Sequence, residues 1–177
     1  EMDIGLCMIV RDEVGRIADC LDPIVDLLAD IVIVDTGSTD GTPELLASRY
    51  GIPVLRGALD GDNCNSKAPA RNQAHAALKA QWILSLDADE RIARRDLEAL
   101  IAMPDNAALA GYFFPWHTFR GDHVVEDYKL CLYRHGLRST GCAHENVQVD
   151  LRQRALDAAW IGERLVRHLP DPAKDAW

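Results

Sequence analysis

The stretch Trp82-Ile83-Leu84-Ser85-Leu86-Asp87-Ala88-Asp89-Glu90-Arg91 decides how the rest of this chain is read. Its first five residues form a mostly apolar run of strand length. Such a run, bounded by a polar turn, suits a strand covered on both faces. It passes directly into the acidic cluster Asp87-Ala88-Asp89-Glu90. Carboxylates at the C-terminal end of a buried strand stand where open α/β sheets bind their ligands. Asp87 and Asp89 are spaced i and i+2, so a continuing strand would point both the same way. Hard oxygen ligands of this kind suit Mg²⁺ or Mn²⁺ that already carries substrate phosphates. An isolated Asp-x-Asp also serves as the acidic turn before a helix, here expected over residues 93–102. The neighbouring segments have to decide between the two.

Upstream, residues 4–10 (IGLCMIV) read as a first buried strand that ends at Arg11-Asp12-Glu13. Ile17, Leu21, Ile24 and Leu28 then mark one face of a helix over 15–28, with Pro23 a place for a kink. Residues 30–35 (DIVIVD) form a second, β-branched strand running into Thr36-Gly37-Ser38-Thr39-Asp40-Gly41. Thr42 is placed as an N-cap with Pro43 at the first helical position, giving a short helix over 43–49. A third strand is expected over 53–56, a polar, turn-rich surface loop over 57–67, and a third helix over 69–79. This alternation specifies an α/β fold, a doubly wound, mostly parallel sheet with helices on both faces.

Downstream of residue 103 the alternation weakens. Residues 111–117 (GYFFPWH) and 129–134 (KLCLYR) read as strands separated by a polar loop over 120–127. In the tail, Leu151, Ala155 and Ala159 are spaced as a helical stripe, and 164–169 reads as a further strand.

The chain has 177 residues and fits one domain, with residues 1–91 as one half and 92–177 as the other. A net charge of −9 argues against sequence-independent binding to nucleic acid. The five cysteines include no Cys-x-x-Cys spacing, which disfavours a zinc site or disulfide framework and favours a reducing compartment. No apolar stretch approaches the length of a membrane span. Arg11-Asp12-Glu13, the Asp35–Asp40 loop, Arg71-Asn72 and Asp87–Glu90 all fall at the strand ends or on the helix beside them, where a parallel sheet gathers them into one crevice. Neither a Gly-x-Gly-x-x-Gly turn nor a Gly-Lys-Ser/Thr loop is present, so a dinucleotide-binding Rossmann enzyme and a P-loop NTPase are both disfavoured.

Four segments together carry a family resemblance: Leu6-Cys7-Met8-Ile9-Val10-Arg11-Asp12-Glu13, Val34-Asp35-Thr36-Gly37-Ser38-Thr39-Asp40-Gly41-Thr42, Ala70-Arg71-Asn72, and the strand with Asp87-Ala88-Asp89-Glu90. They resemble family 2 glycosyltransferases of the GT-A fold, in particular the bacterial branch that includes lipopolysaccharide-core β-glucosyltransferases. Two further patches, over 130–134 and 141–147, extend the likeness. The second is similar to that branch's Gly-x-x-His-Glu signature.

The resemblance implies an inverting, metal-dependent hexosyltransferase of cell-envelope glycan synthesis, using a nucleotide-sugar, with UDP-sugar as the expected donor. The acceptor would be a glycan or lipid-linked. On this likeness Asp35 would bind the nucleotide base, with the Val10 backbone nearby. Glu13 and Arg71 would border base, ribose or phosphates, and the Arg71 fork suits the diphosphate. Asp89 would ligate Mn²⁺ or Mg²⁺, Asp87 would meet ribose or the metal's water shell, and His168 is a further metal-ligand candidate. The general base that inversion requires is either Glu145, the favoured candidate, or Asp127. The expected location is cytoplasmic, with peripheral contact at the inner membrane face and an oligomer both left open. Asp12 stands where the branch has Asn, which adds negative charge beside the expected diphosphate. A degenerate domain that binds a nucleotide-sugar or a partner without turnover is the alternative.

Overall fold

The computed structural model describes residues 1–59, 66–141, 146–162 and 166–170. At its centre is β1 (Ile4–Val10), in which every residue is buried. This uncharged strand pairs in parallel with β2 (Ile31–Asp35) on one side. A third strand, β3 (Val54–Arg56), continues the parallel pairing beyond β2. On the other side of β1 lies β4 (Trp82–Ser85), also parallel. The remaining strands are β5 (Glu90–Ile92), β6 (Leu109–Arg120), β7 (His123–Arg134), β8 (Asp157–Trp160) and β9 (Val166–His168). The sheet runs β3-β2-β1-β4-β7-β6-β9-β5, and β8 pairs with β6. The expected parallel order therefore holds through β4. The second half mixes directions, because β7 pairs antiparallel with both β4 and β6.

Helices cover both faces. Helices α1 (Ile17–Leu21), α2 (Thr42–Tyr50) and α4 (Arg94–Ile101) bury Leu21, Leu46, Leu97 and Leu100 against Leu6, Met8, Ile33 and Leu84. On the opposite face α3 (Ala68–Ala77) and α5 (Gln148–Gln153) bring Ala70, Ala74 and Leu151 against Cys7, Ile9 and Ile83. The three cysteines in the described residues, Cys7, Cys20 and Cys131, are buried and unbridged, and burial raises each thiol pKa, Cys7 to about 11.

Several elements differ from the sequence reading, each for a local reason. Pro23 does more than kink the first helix. It follows the end of α1, and the chain resumes as a short 3₁₀ turn over Val25–Leu27. Thr42 is not the cap of α2; Gly41 is, with φ 88°, while Asp40 Oδ1 accepts the Thr42 N–H at 3.0 Å. The loop expected over 120–127 is strand. β6 and β7 meet in a tight turn with Gly121 first at φ 56°, as type II′ hairpins demand. The far end of this hairpin is solvated on both faces, so no apolar–polar alternation marks it in the sequence. The tail stripe also fails as one helix, since Ala155 takes φ 51° and the chain turns into β8.

The small side chains of α3 let it lie close to the sheet, and His75 pins it there through Nε2, 2.8 Å from the Tyr133 hydroxyl. Burial first, and the Arg71 charge next, depress the His75 pKa from 6.5 to about 4. Between those values the unfolded chain binds a proton that the folded chain refuses, so stability falls as pH drops through that window. Urea denaturation at several pH values should show wild type losing about 3 kcal/mol more than His75→Gln between pH 7 and pH 4.

Candidate functional site

The parallel register sets the C-terminal ends of β1, β2 and β4 side by side, with Val10 opposite Asp35 and Cys7 opposite Ser85. The loops leaving β1 and β2 are laced together. Asp35, buried at the end of β2, accepts the N–H groups of Gly37 (3.2 Å) and Ser38 (3.1 Å) and the Ser38 hydroxyl. Ser38 Oγ in turn accepts the Asp12 N–H at 2.9 Å. Asp12 takes φ 54°, and its carboxylate accepts the Thr39 N–H at 2.7 Å. Asp40 accepts the Val14 N–H at 2.9 Å, and Thr42 Oγ1 accepts that of Glu13 at the same distance. The Val10 carbonyl accepts both the N–H (3.0 Å) and the hydroxyl (3.2 Å) of Thr36. Glu13 holds Arg16 at 2.9 Å. Asp35, Val10 and Glu13 thus all belong to the joined ends and loops of β1 and β2, and their own polar groups shape those loops.

The acidic cluster is not a continuation of β4, which ends at Ser85. Asp87 to Glu90 form a turn closed twice, by Glu90 N–H to the Asp87 carbonyl and by Asp87 N–H to Glu90 Oε2, both 2.9 Å. The expectation that Asp87 and Asp89 point the same way along a strand therefore gives way to a turn that sends them to different partners. Asp87 Oδ1 lies 3.1 Å from Arg71 Nη2, and its other oxygen 3.9 Å from Lys129 Nζ. Asp89 Oδ2 lies 3.2 Å from His168 Nε2. Pairing of β5 with β9 sets His168 directly across from Glu90, and the Leu169 N–H bonds the Asp89 carbonyl at 2.9 Å.

Arg71 is only 5% exposed. Its Nη1 donates to the Ser85 hydroxyl at 2.7 Å and its Nη2 to Asp87 at 3.1 Å, while Nε has no hydrogen-bond partner among the described residues. Burial opposes its charge, but Asp87 leads the groups that outweigh burial and raise its pKa. For Asp87, burial pushes the carboxyl pKa up, and Arg71, Lys129 and Lys67 together carry it far below the usual carboxylate range.

The residue the sequence reading left without a role is Glu90. It is 1% exposed and accepts three donors: Lys129 Nζ at 2.5 Å, Trp116 Nε1 at 2.6 Å and the Asp87 N–H. Trp116 stacks on the His168 ring with centroids 4.7 Å apart, and Thr118 Oγ1 lies 3.0 Å from His168 Nδ1. Trp116, Thr118 and Lys129 come from β6 and β7, far away in sequence, so only the alternation of Phe114, Trp116 and Thr118 on one strand face could have hinted at them. Asp127 is exposed, stands opposite Trp116 in the hairpin register, and accepts its own neighbour's N–H from Tyr128 at 2.7 Å. Glu145 lies outside the described residues.

Among the described residues no group of three or more His, Cys, Asp or Glu converges as a complete metal shell. Asp89 and His168 bring one carboxylate oxygen and one imidazole nitrogen together at the turn after β4. Two protein ligands fit a divalent cation that takes its other ligands from substrate phosphates and water. No helix among the described residues is long and apolar enough to cross a membrane.

Removing Lys129 leaves the Glu90 carboxylate buried with one cation fewer. Lys129→Met should lower stability by about 3 kcal/mol. The double variant Lys129→Met/Glu90→Gln should cost less than the two single changes added together, which a denaturation double-mutant cycle would measure.

Comparison with known proteins bears on the fold and the family. A TPR repeat-containing protein of Synechococcus elongatus is 42% identical over 89 residues, which is 50% of this chain and 21% of that protein. Staphylococcus aureus TarS 1–349 in complex with UDP superposes with a TM-score of 0.70 at 14% identity, over 97% of this chain and 61% of that one. Glucosyl-3-phosphoglycerate synthase from Mycobacterium tuberculosis, in complex with Mn²⁺, UDP and phosphoglyceric acid, superposes at 0.67 and 15% identity, over 99% and 73%. The chain thus spans about a fifth of its curated relative and under two thirds of TarS 1–349. The family model described as Glycosyl transferase family 2 matches residues 6–129, well over half of the sequence, and the chain belongs to that family.

Proposed function

We propose that this chain is an inverting hexosyltransferase, taking its sugar from a nucleotide-sugar, with UDP-sugar the expected donor, and passing it to a glycan or lipid-linked acceptor. One observation carries the reading. At the C-terminal edge of a parallel sheet, one turn holds Asp87 ionised beside two cations and sets Asp89 against His168. In this reading the laced loops after β1 and β2 enclose the nucleoside, with Asp35 and the Val10 segment at the base and Glu13 on the rim. Asp87 faces the ribose. Asp89 and His168 would hold Mn²⁺ or Mg²⁺, which when bound supplies positive charge to the diphosphate as it departs.

The acceptor hydroxyl must lose its proton as it attacks the anomeric carbon from the face opposite the diphosphate. Asp127 is exposed on the same hairpin face as Trp116 and Lys129 and forms no ion pair with a cation among the described residues, which suits a base. Glu145 is the other candidate, favoured by the likeness of residues 141–147 to the lipopolysaccharide-core branch. The same likeness supports a cytoplasmic enzyme of cell-envelope glycan synthesis working near the inner membrane face, alone or as an oligomer.

The first experiment is calorimetric titration of UDP, then GDP, with and without Mn²⁺, on wild type and Asp89→Ala. Mn²⁺-dependent binding of UDP that Asp89→Ala abolishes is the expected result. A folded protein that binds neither nucleotide would sink the donor-site reading and favour a domain without turnover. With the donor known, whichever of Glu145→Gln and Asp127→Asn removes the base should lower kcat by about 10²- to 10⁴-fold while UDP binding persists.

A further inference from the structure

His168 is held on three sides. Its ring lies flat against Trp116, with 17° between the planes, and Trp116 is itself fixed by Glu90. Its Nε2 faces Asp89 at 3.2 Å, and its Nδ1 faces the Thr118 hydroxyl at 3.0 Å. Thr118 is 5% exposed and lies directly across from His168 in the parallel pairing of β6 with β9, so strand register sets this contact. A neutral imidazole carries one proton, so Nε2 cannot both donate to Asp89 and offer a lone pair to a cation.

We infer that Thr118 is a positioning residue whose hydroxyl serves both tautomers of His168. Without a cation, Nε2–H donates to Asp89 and Nδ1 accepts the Thr118 hydroxyl hydrogen. Were a cation held by Asp89 and His168, the Nε2 lone pair would face it, with the Nε2 proton passing to water and one from water entering at Nδ1. Nδ1–H would then donate to the Thr118 oxygen, whose hydrogen would have swung away. A carboxylate at this position would hold the proton on Nδ1 permanently, whereas a hydroxyl both donates and accepts. Trp116 keeps the ring in plane throughout, so the exchange costs no reorientation. The inference rests on the donor-site reading above, and its test separates the two.

The test titrates Mn²⁺ into the protein with UDP present, for wild type, Thr118→Val and Thr118→Ser. ¹⁵N resonances of His168 are recorded metal-free and with Mg²⁺ and UDP. Thr118→Val keeps the shape of the side chain and should weaken Mn²⁺ binding by about 10-fold or more, while Thr118→Ser stays near wild type. In wild type the His168 proton should sit on Nε2 metal-free and on Nδ1 when loaded. Equal Mn²⁺ affinity in Thr118→Val, or a proton that remains on one nitrogen, would overturn the role of Thr118 while leaving the donor site intact. Wild type that binds UDP with no response to either cation would instead remove the donor-site reading, and this inference with it. The wild-type resonances decide the matter even if Thr118→Val does not fold.

Discussion

A buried carboxylate with three donors organises this molecule around Glu90. Its desolvation would be costly if any oxygen lone pair faced apolar side chains alone, and the fold answers from three directions. The turn itself supplies the Asp87 N–H, β6 supplies Trp116 Nε1, and β7 supplies Lys129 Nζ. None of these would hold its place without the others. The turn needs Glu90 to stay closed, Lys129 needs the two carboxylates to stay charged against burial, and Trp116 needs an acceptor for an indole N–H at the sheet surface.

This arrangement joins two halves with different geometry. The parallel half, β3-β2-β1-β4, brings its strand ends to one edge and leaves loops there that stitch to each other through Asp12, Asp35, Ser38 and Asp40. The antiparallel hairpin β6–β7 approaches from the other side and contributes side chains along its length rather than at its ends. Arg71 and Lys129 reach Asp87 from α3 and β7, so the same carboxylate is gripped by both halves. Alternating charges, Arg71, Asp87, Lys129 and Glu90, form a chain in which each ion has an opposite neighbour, and that is the condition under which buried charge is tolerated.

The first half of the fold was legible in the sequence because its strands are short, apolar and bounded by glycine and acidic turns, and because each helix between them has its own apolar face. What eluded sequence reasoning depended on contacts across long stretches of chain. Asp87 and Asp89 are visible as a pair, but their divergence comes from a turn that Glu90 closes, and Glu90 reads only as the third carboxylate of the acidic cluster. Arg71 reads as a phosphate ligand because arginine suits that task, and its bonds to Ser85 and Asp87 carry no sequence signal of their own. Lys129, Trp116 and Thr118 carry no motif at all; strand register alone brings them to the turn. The hairpin tip escaped because strand alternation reports a half-buried face, and residues 123–128 have both faces in water.

The contrast in how the candidate groups are held points to a division of labour within the crevice. Asp87, Asp89 and His168 are each fixed by neighbours from other elements, as a site that orients a charged donor requires. Among the described residues Asp127 accepts one hydrogen bond, from the N–H of the next residue, on a stretch of β7 that pairs with β6. A donor whose diphosphate is common to many sugars rewards a rigid frame, because the charges to be matched never change. An acceptor hydroxyl arrives from solvent on molecules of varied shape, and a carboxylate on an exposed strand can follow it. On the proposed reading with Asp127 as the base, the acceptor itself would set the position of that carboxylate.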